Sequence, residues 1–199
     1  MSDSPFWVGV LGLQGAFAKH LEVLERCRAP ARLVRTAEEL EDIAGLIIPG
    51  GESTTLGTLI TRWGLAEPLR ARAREGMPIM GTCAGLILLA KEIVGSDQFR
   101  LGLMDITVRR NAFGRQVDSF EQDISIKGIA GGPVRAVFIR APVIEEVRDG
   151  AEALAEVEAG IVAAQQGRLL ALAFHPELTE DTRLHEHFLA MVREFAKGG

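Results

Sequence analysis

The sequence predicts an α/β fold in which a mixed, mostly parallel central sheet lies between layers of helices, in a flavodoxin-like arrangement. In the N-terminal half, short apolar runs alternate with amphipathic stretches. Such a βαβα succession gives parallel strands covered by helices on both faces. From about residue 105 the pattern changes to strand-like runs without long helices. Since no repeat, low-complexity tract or flexible linker separates the halves, we expect residues 1–199 to form one three-layer domain.

The elements of the N-terminal half follow from the period of the apolar pattern. Continuous apolar runs, typical of strands covered on both faces, predict strands over residues 7–13, 32–35, 46–48 and 78–80. Apolar residues at helical spacing predict helices over about 16–27, 54–63, 67–74 and 84–93. Between the second and third strands, residues 38–42 are expected to form a short solvated helix or a loop.

The C-terminal half is expected to consist of strands followed by one packing helix. Strands, several of them antiparallel, are predicted over residues 105–109, 117–126, 134–140, 153–158, 161–165 and 169–174. Residues 181–197 have apolar side chains at helical spacing, acidic residues early and Lys197 late, as the helix dipole favours.

Composition excludes several functional classes. The chain carries 22 Lys and Arg against 27 Asp and Glu, a net charge of −5, and 47% of its residues are hydrophobic. This balance argues against a surface for nucleic acid or anionic lipid, which needs concentrated positive charge. The apolar stretches are shorter than the roughly 18 residues that span a bilayer, and the N-terminus lacks the basic region of a signal peptide. Together with only two cysteines, this predicts a cytoplasmic protein.

The most informative segment is residues 81–85, with the sequence GTCAG, between an apolar strand and a predicted helix. G-x-C-x-G is a version of the nucleophile elbow, whose sharp turn projects the central side chain above the sheet. A helix N-terminus favours the thiolate, so Cys83 is a candidate nucleophile. The alternative is a small buried core cysteine at a glycine-rich turn. Cys27 lies on a helix without such surroundings and is expected to be structural.

A cysteine nucleophile needs a base, and His175 stands at the end of a predicted strand, where ligands collect in open α/β folds. Glu177 could accept a hydrogen bond from one ring nitrogen and so turn the other toward the thiol. By itself, a histidine at a strand end is structural about as often as catalytic. We expect His20, His185 and His187 to be solvated or packed surface residues, and their spacing makes no metal pair. No metal or cofactor is predicted.

The segment 49–53, with the sequence PGGES, also follows an apolar strand and should lie at the same sheet edge as Cys83. Adjacent glycines let backbone N–H groups approach a ligand, so the N–H groups of Gly51 and Ala84 could form an oxyanion hole. The alternative is a plain turn at a helix start, with Ser53 or Thr54 as the N-cap. The segment matches neither a phosphate loop nor a dinucleotide fingerprint.

Together these segments resemble the class I (triad) glutamine amidotransferases, and more narrowly the glutaminase subunits of pyridoxal 5′-phosphate synthases. The resemblance spans nearly the whole chain. The segments that carry it are 9–15 (GVLGLQG), 49–55 (PGGESTT), 81–86 (GTCAGL), 110–116 (RNAFGRQ), 138–142 (FIRAP) and 174–179 (FHPELT).

The resemblance implies a role for each matching residue. It implies that Cys83 is the nucleophile, that His175 is the general base and then the acid, and that Glu177 orients His175. It also implies a set of contacts to L-glutamine, formed by Gly50, Gly51, Glu52, Arg110, Ile139 and Arg140. Guanidinium groups suit the α-carboxylate of glutamine, while the α-ammonium calls for a carbonyl or carboxylate oxygen.

The resemblance further implies that ammonia from glutamine passes to a separate synthase subunit of (β/α)₈-barrel type, whose docking activates the glutaminase. Gln14 is a candidate contact to that partner. Two alternatives remain open at this point. One is the glutaminase subunit of another amidotransferase, such as imidazole-glycerol-phosphate synthase. The other is a cysteine hydrolase or DJ-1-like thiol protein that keeps the elbow cysteine but has no glutaminase activity.

Overall fold

A mixed ten-stranded sheet forms the centre of the computed structural model, which describes residues 6–113 and 119–198. The strands in chain order are β1 (Val8–Leu11), β2 (Ala31–Val34), β3 (Gly45–Ile48), β4 (Ile79–Thr82), β5 (Ala90–Ile93), β6 (Met104–Arg109), β7 (Ser119–Ile124), β8 (Val134–Ile139), β9 (Val143–Val147), β10 (Glu152–Val157), β11 (Gly160–Gln166) and β12 (Leu169–Leu172). The order across the sheet is β2-β1-β3-β4-β12-β11-β9-β6-β5, with β10 paired to β11.

The prediction of parallel strands in the N-terminal half and several antiparallel strands in the C-terminal half is confirmed. Strands β2, β1, β3, β4 and β12 run parallel to one another, and β5 pairs parallel with β6. The pairings β12-β11, β11-β9, β9-β6 and β10-β11 are antiparallel. Every residue of β1, β3 and β4 is buried, as expected for parallel strands covered on both faces.

Helices flank the sheet close to the predicted positions. They are α1 (Phe17–Arg26), α2 (Ala37–Glu41), α3 (Ser53–Arg62), α4 (Ala66–Arg74), α5 (Ala84–Leu89) and α6 (Arg183–Gly198), with a 3₁₀ turn at Pro176–Leu178. Helix α5 packs on β3, β4 and β12 and against α3, while α6 packs its Phe188 and Val192 beside Gly45 of β3. Among the described residues, none of the helices is long and apolar enough to cross a membrane.

The prediction of a helix over 84–93 is wrong in its second half. Helix α5 ends at Leu89, and residues 90–93 form strand β5 beside β6. The carbonyl oxygens of Leu88 and Leu89 accept hydrogen bonds from Leu101 N at 2.7 Å and Leu103 N at 2.8 Å. Because a longer α5 would need these carbonyls for its next turn, the returning chain ends the helix here.

Two further elements differ from the sequence prediction. Strand β9 was not predicted, because two exposed glutamates interrupt its apolar character. Residues 119–124 and 134–139 form a separate two-stranded ribbon, β7-β8, rather than joining the main sheet. Residues 117–118 of the predicted strand lie outside the described residues. The ribbon joins the core through aromatic rings, since Phe138 stacks on Phe120 at 4.6 Å and meets Phe174 edge-on at 5.7 Å.

The parallel topology places the predicted site segments at one edge of the sheet. Strands β1, β3, β4 and β12 lie side by side and all end at the same edge. The segments that follow them are 12–16, 49–52, Cys83 and His175. Ala16 N donates to the carbonyl oxygen of Gly50 at 2.9 Å and so joins the first two segments. Ligand sites of open α/β sheets form at this edge.

Candidate active site

Cys83 occupies the sharp turn between strand β4 and helix α5. Its backbone lies at φ 50° and ψ −101°, in the positive-φ region that non-glycine residues rarely adopt. Neighbouring backbone approaches the turn so closely that a Cβ on Gly85 would lie 2.1 Å from the carbonyl oxygen of Ile48. The glycine allows α5 to begin against β3, and the strained turn projects Cys83 toward the cavity at the sheet edge.

His175 and Glu177 form a buried pair next to this cysteine. Nδ1 of His175 lies 2.7 Å from Oε1 of Glu177, and the two residues are 7% and 3% exposed. A carboxylate only accepts hydrogen bonds, so Nδ1 donates and Nε2 is left free to interact with Cys83. The backbone N–H of His175 donates to Val137 O at 2.9 Å, which fixes the chain before the 3₁₀ turn.

The charges of the site favour a protonated His175. Burial would lower the pKa of His175, but its hydrogen bonds with Cys83 and Glu177, together with their negative charges, raise it to about 10. Burial would raise the pKa of Glu177, but the hydrogen bond and positive charge of His175 hold it below its ordinary value. An ionised Glu177 therefore supports an imidazolium at His175 near neutral pH.

A cavity of about 410 Å³ opens in front of Cys83 and His175. The predicted residues that line it are Gln14, Gly50, Gly51, Glu52, Cys83, Ala84, Arg110, Ile139, Arg140 and His175. Of the predicted site residues, Glu177 alone is not in the wall, because it lies behind His175. Within the described ranges, no group of three or more His, Cys, Asp or Glu residues could hold a metal ion.

Glu52 and Arg110 face each other across one side of the cavity. The carboxylate of Glu52 is the N-cap of α3, accepting from Thr54 N at 3.1 Å and Thr55 N at 2.7 Å. The alternative interpretation, in which Ser53 or Thr54 is the N-cap of this helix, is therefore wrong in its choice of residue. Nη2 of Arg110 lies 3.5 Å from Oε1 of Glu52. Although its burial opposes ionisation, the backbone donors and Arg110 lower the pKa of Glu52.

Ile139 and Arg140 form another part of the cavity wall, directly after strand β8. Sγ of Cys83 lies 3.9 Å from the carbonyl oxygen of Ile139. Arg140 has a φ of 43°, so the chain turns sharply there. The predicted strand to residue 140 therefore ends at Ile139, and Arg140 lies in the cavity wall instead. Residues 114–116 of the segment 110–116 lie outside the described residues.

Gln14 reaches the loop at residues 50–52 instead of pointing away from the site. Its Oε1 accepts a hydrogen bond from Glu52 N at 3.1 Å, and a Cβ on Gly51 would lie 2.4 Å from that oxygen. Gln14 thus supports the loop that carries Gly51. Its predicted contact with a partner stays a prediction.

Sequence reasoning missed Gln98, which holds Arg110 in place. Oε1 of Gln98 accepts from Nη1 of Arg110 at 2.5 Å, and its Nε2 donates to Ser53 Oγ at 3.1 Å. Gln98 follows strand β5, which the sequence predicted as helix. No motif marked it, because its role depends on where the chain returns after that strand.

The prediction for the other histidines is wrong for two of the three. His20 and His185 are fully buried, with 0% exposure, and lie next to each other, and His20 also lies next to Glu177. Helices α1 and α6 meet at this point, and Nδ1 of His20 pairs with Nε2 of His185 at 3.0 Å. The helical pattern around each histidine gave no signal of this, because the contact joins residues 165 positions apart. His187 is half-buried and bonds to Gln165 at 3.0 Å.

Comparison with known proteins connects this geometry to a family. The model of the SNO glutamine amidotransferase family matches residues 10–194. The chain belongs to this family. It is 57% identical over 185 residues to the pyridoxal 5′-phosphate synthase subunit PdxT of Moorella thermoacetica, covering 93% of this chain and 98% of that protein. It is 58% identical over 187 residues to the subunit of the same name from Geobacillus kaustophilus, covering 94% and 95%.

Solved structures agree with the family assignment. A crystal structure of a glutamine amidotransferase matches with a TM-score of 0.89 and 50% identity, covering 94% of this chain and 98% of that one. A glutamine amidotransferase from Thermotoga maritima matches with a TM-score of 0.61 at 14% identity, covering 96% and 85%. At that low identity, the second structure supports the fold alone. The predicted α/β fold with a mixed, mostly parallel sheet is therefore confirmed.

Proposed function

We propose that the protein hydrolyses L-glutamine to glutamate and ammonia and passes the ammonia to a pyridoxal 5′-phosphate synthase subunit, a (β/α)₈ barrel, in the cytoplasm. The observation that carries the proposal is the linked arrangement of Cys83, His175 and Glu177 at the wall of a cavity, in a member of a glutamine amidotransferase family. The names of its relatives support the synthase as the partner.

The first half of the reaction forms a thioester. The Cys83 thiol gives its proton to His175, and Sγ attacks the carboxamide carbon of glutamine. The π electrons of the carbonyl move onto its oxygen, and the N–H groups of Gly51 and Ala84 hold the resulting oxyanion. His175 then protonates the departing nitrogen, the C–N bond breaks, and ammonia leaves a γ-glutamyl thioester on Cys83. The raised pKa of His175, about 10, keeps it in the protonated state that this step requires.

The second half returns the enzyme to its starting state. His175, now neutral, takes a proton from water, whose oxygen attacks the thioester carbon and expels the Cys83 sulfur. The new carboxyl group releases its remaining proton to solvent, glutamate leaves, and the other proton of the water remains on His175. Glu177 accepts the Nδ1–H bond throughout and stabilises the imidazolium each time it forms.

Binding of glutamine uses charges of both signs in the cavity wall. The guanidinium groups of Arg110 and Arg140 suit the α-carboxylate, while Glu52 offers a carboxylate for the α-ammonium. Gly50 and Ile139 supply backbone groups beside the reacting carbon. Since Glu52 and Arg110 are already paired at 3.5 Å, the zwitterionic substrate would insert its own charges into an existing ion pair.

The experiment that tests this proposal is Cys83→Ala, with Cys27→Ala as the matched control. In the complex with the synthase, we expect Cys83→Ala to abolish ammonia release from glutamine but to leave pyridoxal phosphate synthesis from ammonium salts intact. Cys27→Ala should retain both activities. A glutamine-analogue electrophile should add mass to wild-type protein at Cys83 and not to Cys83→Ala.

Two outcomes would contradict the proposal. Glutamine hydrolysis by folded Cys83→Ala would exclude Cys83 as the nucleophile. Loss of ammonium-dependent synthesis in a folded, docked complex would show that this chain does more than supply ammonia.

A further inference from the structure

Two fully buried histidines lie behind the cavity wall, one of them next to Glu177. His20 of α1 and His185 of α6 are both 0% exposed, and Nδ1 of His20 lies 3.0 Å from Nε2 of His185. On its other side, Nε2 of His20 lies 3.2 Å from Oγ1 of Thr82 and 3.5 Å from Oε2 of Glu177. The reaction described above uses neither histidine.

One oxygen of Glu177 depends on this cluster. Oε1 is held by His175 at 2.7 Å, whereas Oε2 is buried and makes no hydrogen bond within the described residues. A buried ionised oxygen without a positive or N–H partner is costly. The polar atom facing Oε2 is Nε2 of His20, at 3.5 Å. His20 is therefore positioned to stabilise the negative charge on Oε2 of Glu177.

The hydrogen-bond directions in the cluster follow from the carboxylate. Because Glu177 is an acceptor, Nε2 of His20 must carry a proton to face it favourably. Burial lowers the pKa of His20, against the opposing charge of Glu177, and lowers that of His185 further. Both rings are thus neutral, Nδ1 of His20 is an acceptor, and Nε2–H of His185 donates to it. Nδ1 of His185 then carries a lone pair and no proton. The buried atom without a hydrogen-bond partner within the described residues is therefore an acceptor and not an N–H donor.

We propose that His20 is a positioning residue for glutamine hydrolysis: its Nε2–H faces Oε2 of Glu177 and stabilises the carboxylate in the orientation that aligns His175 with Cys83, and His185 fixes the His20 tautomer. This inference rests on the proposed function, because His20 acts only through the triad. It also gives helices α1 and α6 a role in the site, although neither helix lines the cavity.

A purely structural role for the histidine pair makes a different prediction. If the pair only filled the space between α1 and α6, an apolar side chain of similar size would alter stability and leave His175 unchanged. If His20 positions Glu177, removing its N–H must change the His175–Glu177 hydrogen bond and slow the chemical step, with little effect on glutamine binding.

The first test is the tautomer itself, measured by long-range ¹H–¹⁵N correlation spectra of the full chain at pH 7. We expect His20 and His185 to be neutral, with the proton on Nε2 in each ring. A proton on Nδ1 of His20, or a doubly protonated ring, would overturn the inference. This measurement needs no enzymatic activity and therefore stands apart from the proposed function.

The second test compares His20→Met, which removes the donor, with His20→Gln, whose side-chain amide can supply an N–H near the former Nε2. In the complex with the synthase, we expect His20→Met to lower kcat for glutamine hydrolysis by about 10- to 100-fold, as small misalignments do, with KM nearly unchanged. The downfield Nδ1–H resonance of His175 should shift as well. His20→Gln should recover most of kcat, and His187→Met should match the wild type.

The outcomes separate the two proposals. A folded His20→Met variant with wild-type kcat and an unshifted His175 resonance would overturn the positioning role. An inactive wild-type complex would instead count against the proposed function, while the His175 resonance and the His20 tautomer would still decide the inference. Should His20→Met not fold, His20→Gln and the tautomer measurement carry the test.

Discussion

At the residue scale, the protonation of His175 depends on the side chain in front of it. The hydrogen bond and negative charge of Cys83 are among the causes that raise the pKa of His175 to about 10, against the opposing effect of burial. In Cys83→Ala both contributions disappear, and we expect the pKa of His175 to fall. Titration of the His175 ring resonances by NMR measures this, with Cys27→Ala as a control that should leave the value unchanged. An unaltered His175 pKa in Cys83→Ala would show that the two side chains are not coupled.

Gly50 lies against the same pair and tolerates no side chain. A Cβ at this position would lie 2.4 Å from Cε1 of His175 and 3.3 Å from Cβ of Cys83. Gly50→Ala should therefore displace the imidazole and reduce kcat by about 100-fold, the scale of a 1 Å misplacement. Gly198→Ala, where the added Cβ meets nothing within 4 Å, is the control for the substitution itself. Wild-type turnover by Gly50→Ala would mean that His175 can move without loss.

Residues of the site were predictable where their chemistry is local in sequence. His175 and Glu177 are two positions apart, and the turn after a strand brings them together, so the pattern alone indicated the pair. His20 was misjudged because its partners, Thr82 and His185, are 62 and 165 positions away. An amphipathic helix pattern shows which face of the helix is buried, but not which polar group of another element that face contacts.

At the element scale, local signals placed most strands and helices, and long-range hydrogen bonds decided the rest. Helix α5 stops at Leu89 because Leu101 and Leu103 bind the carbonyls that a further turn would use. No propensity of residues 90–93 indicates this competition. By contrast, the sequence near residues 38–42 contains enough information to choose a helix over a loop, because Thr36 and Glu39 form a capping box.

That capping box gives a prediction about helix α2. The Thr36 hydroxyl accepts from Glu39 N at 3.4 Å, and the Glu39 carboxylate accepts from Thr36 N at 3.1 Å. A five-residue helix has little other internal support, so Thr36→Ala should lower the free energy of unfolding by about 1 kcal/mol. Thr36→Ser keeps the hydroxyl and should remain near the wild-type value. Urea unfolding of both variants measures the difference, and equal loss in both would exclude the cap as the cause.

At the scale of the whole molecule, the site joins parts of the chain that lie far apart in sequence. The cavity wall runs from Gln14 to His175 and draws on both the parallel half of the sheet and the β7-β8 ribbon. Parallel pairing brings the strand ends together, while the aromatic stack from Phe120 to Phe174 fixes the ribbon over them. Global stability and the geometry of the site therefore depend on the same contacts.

Because of the buried histidines, the free energy of unfolding should reach a maximum near pH 6.5 to 7. His20 and His185 have pKa values lowered from 6.5, chiefly by burial, so the unfolded chain binds more protons below pH 6.5 and stability falls as the pH drops. His175 has a pKa raised from 6.5 to about 10, so its contribution is complete below pH 6.5 and is lost as the pH rises to about 10. Urea unfolding between pH 5 and 10 should show both limbs. Cys83→Ala should reduce the loss of stability above pH 7, and His185→Gln should reduce the loss below pH 6.5. Identical pH profiles in the wild type and both variants would assign the pH dependence to other groups.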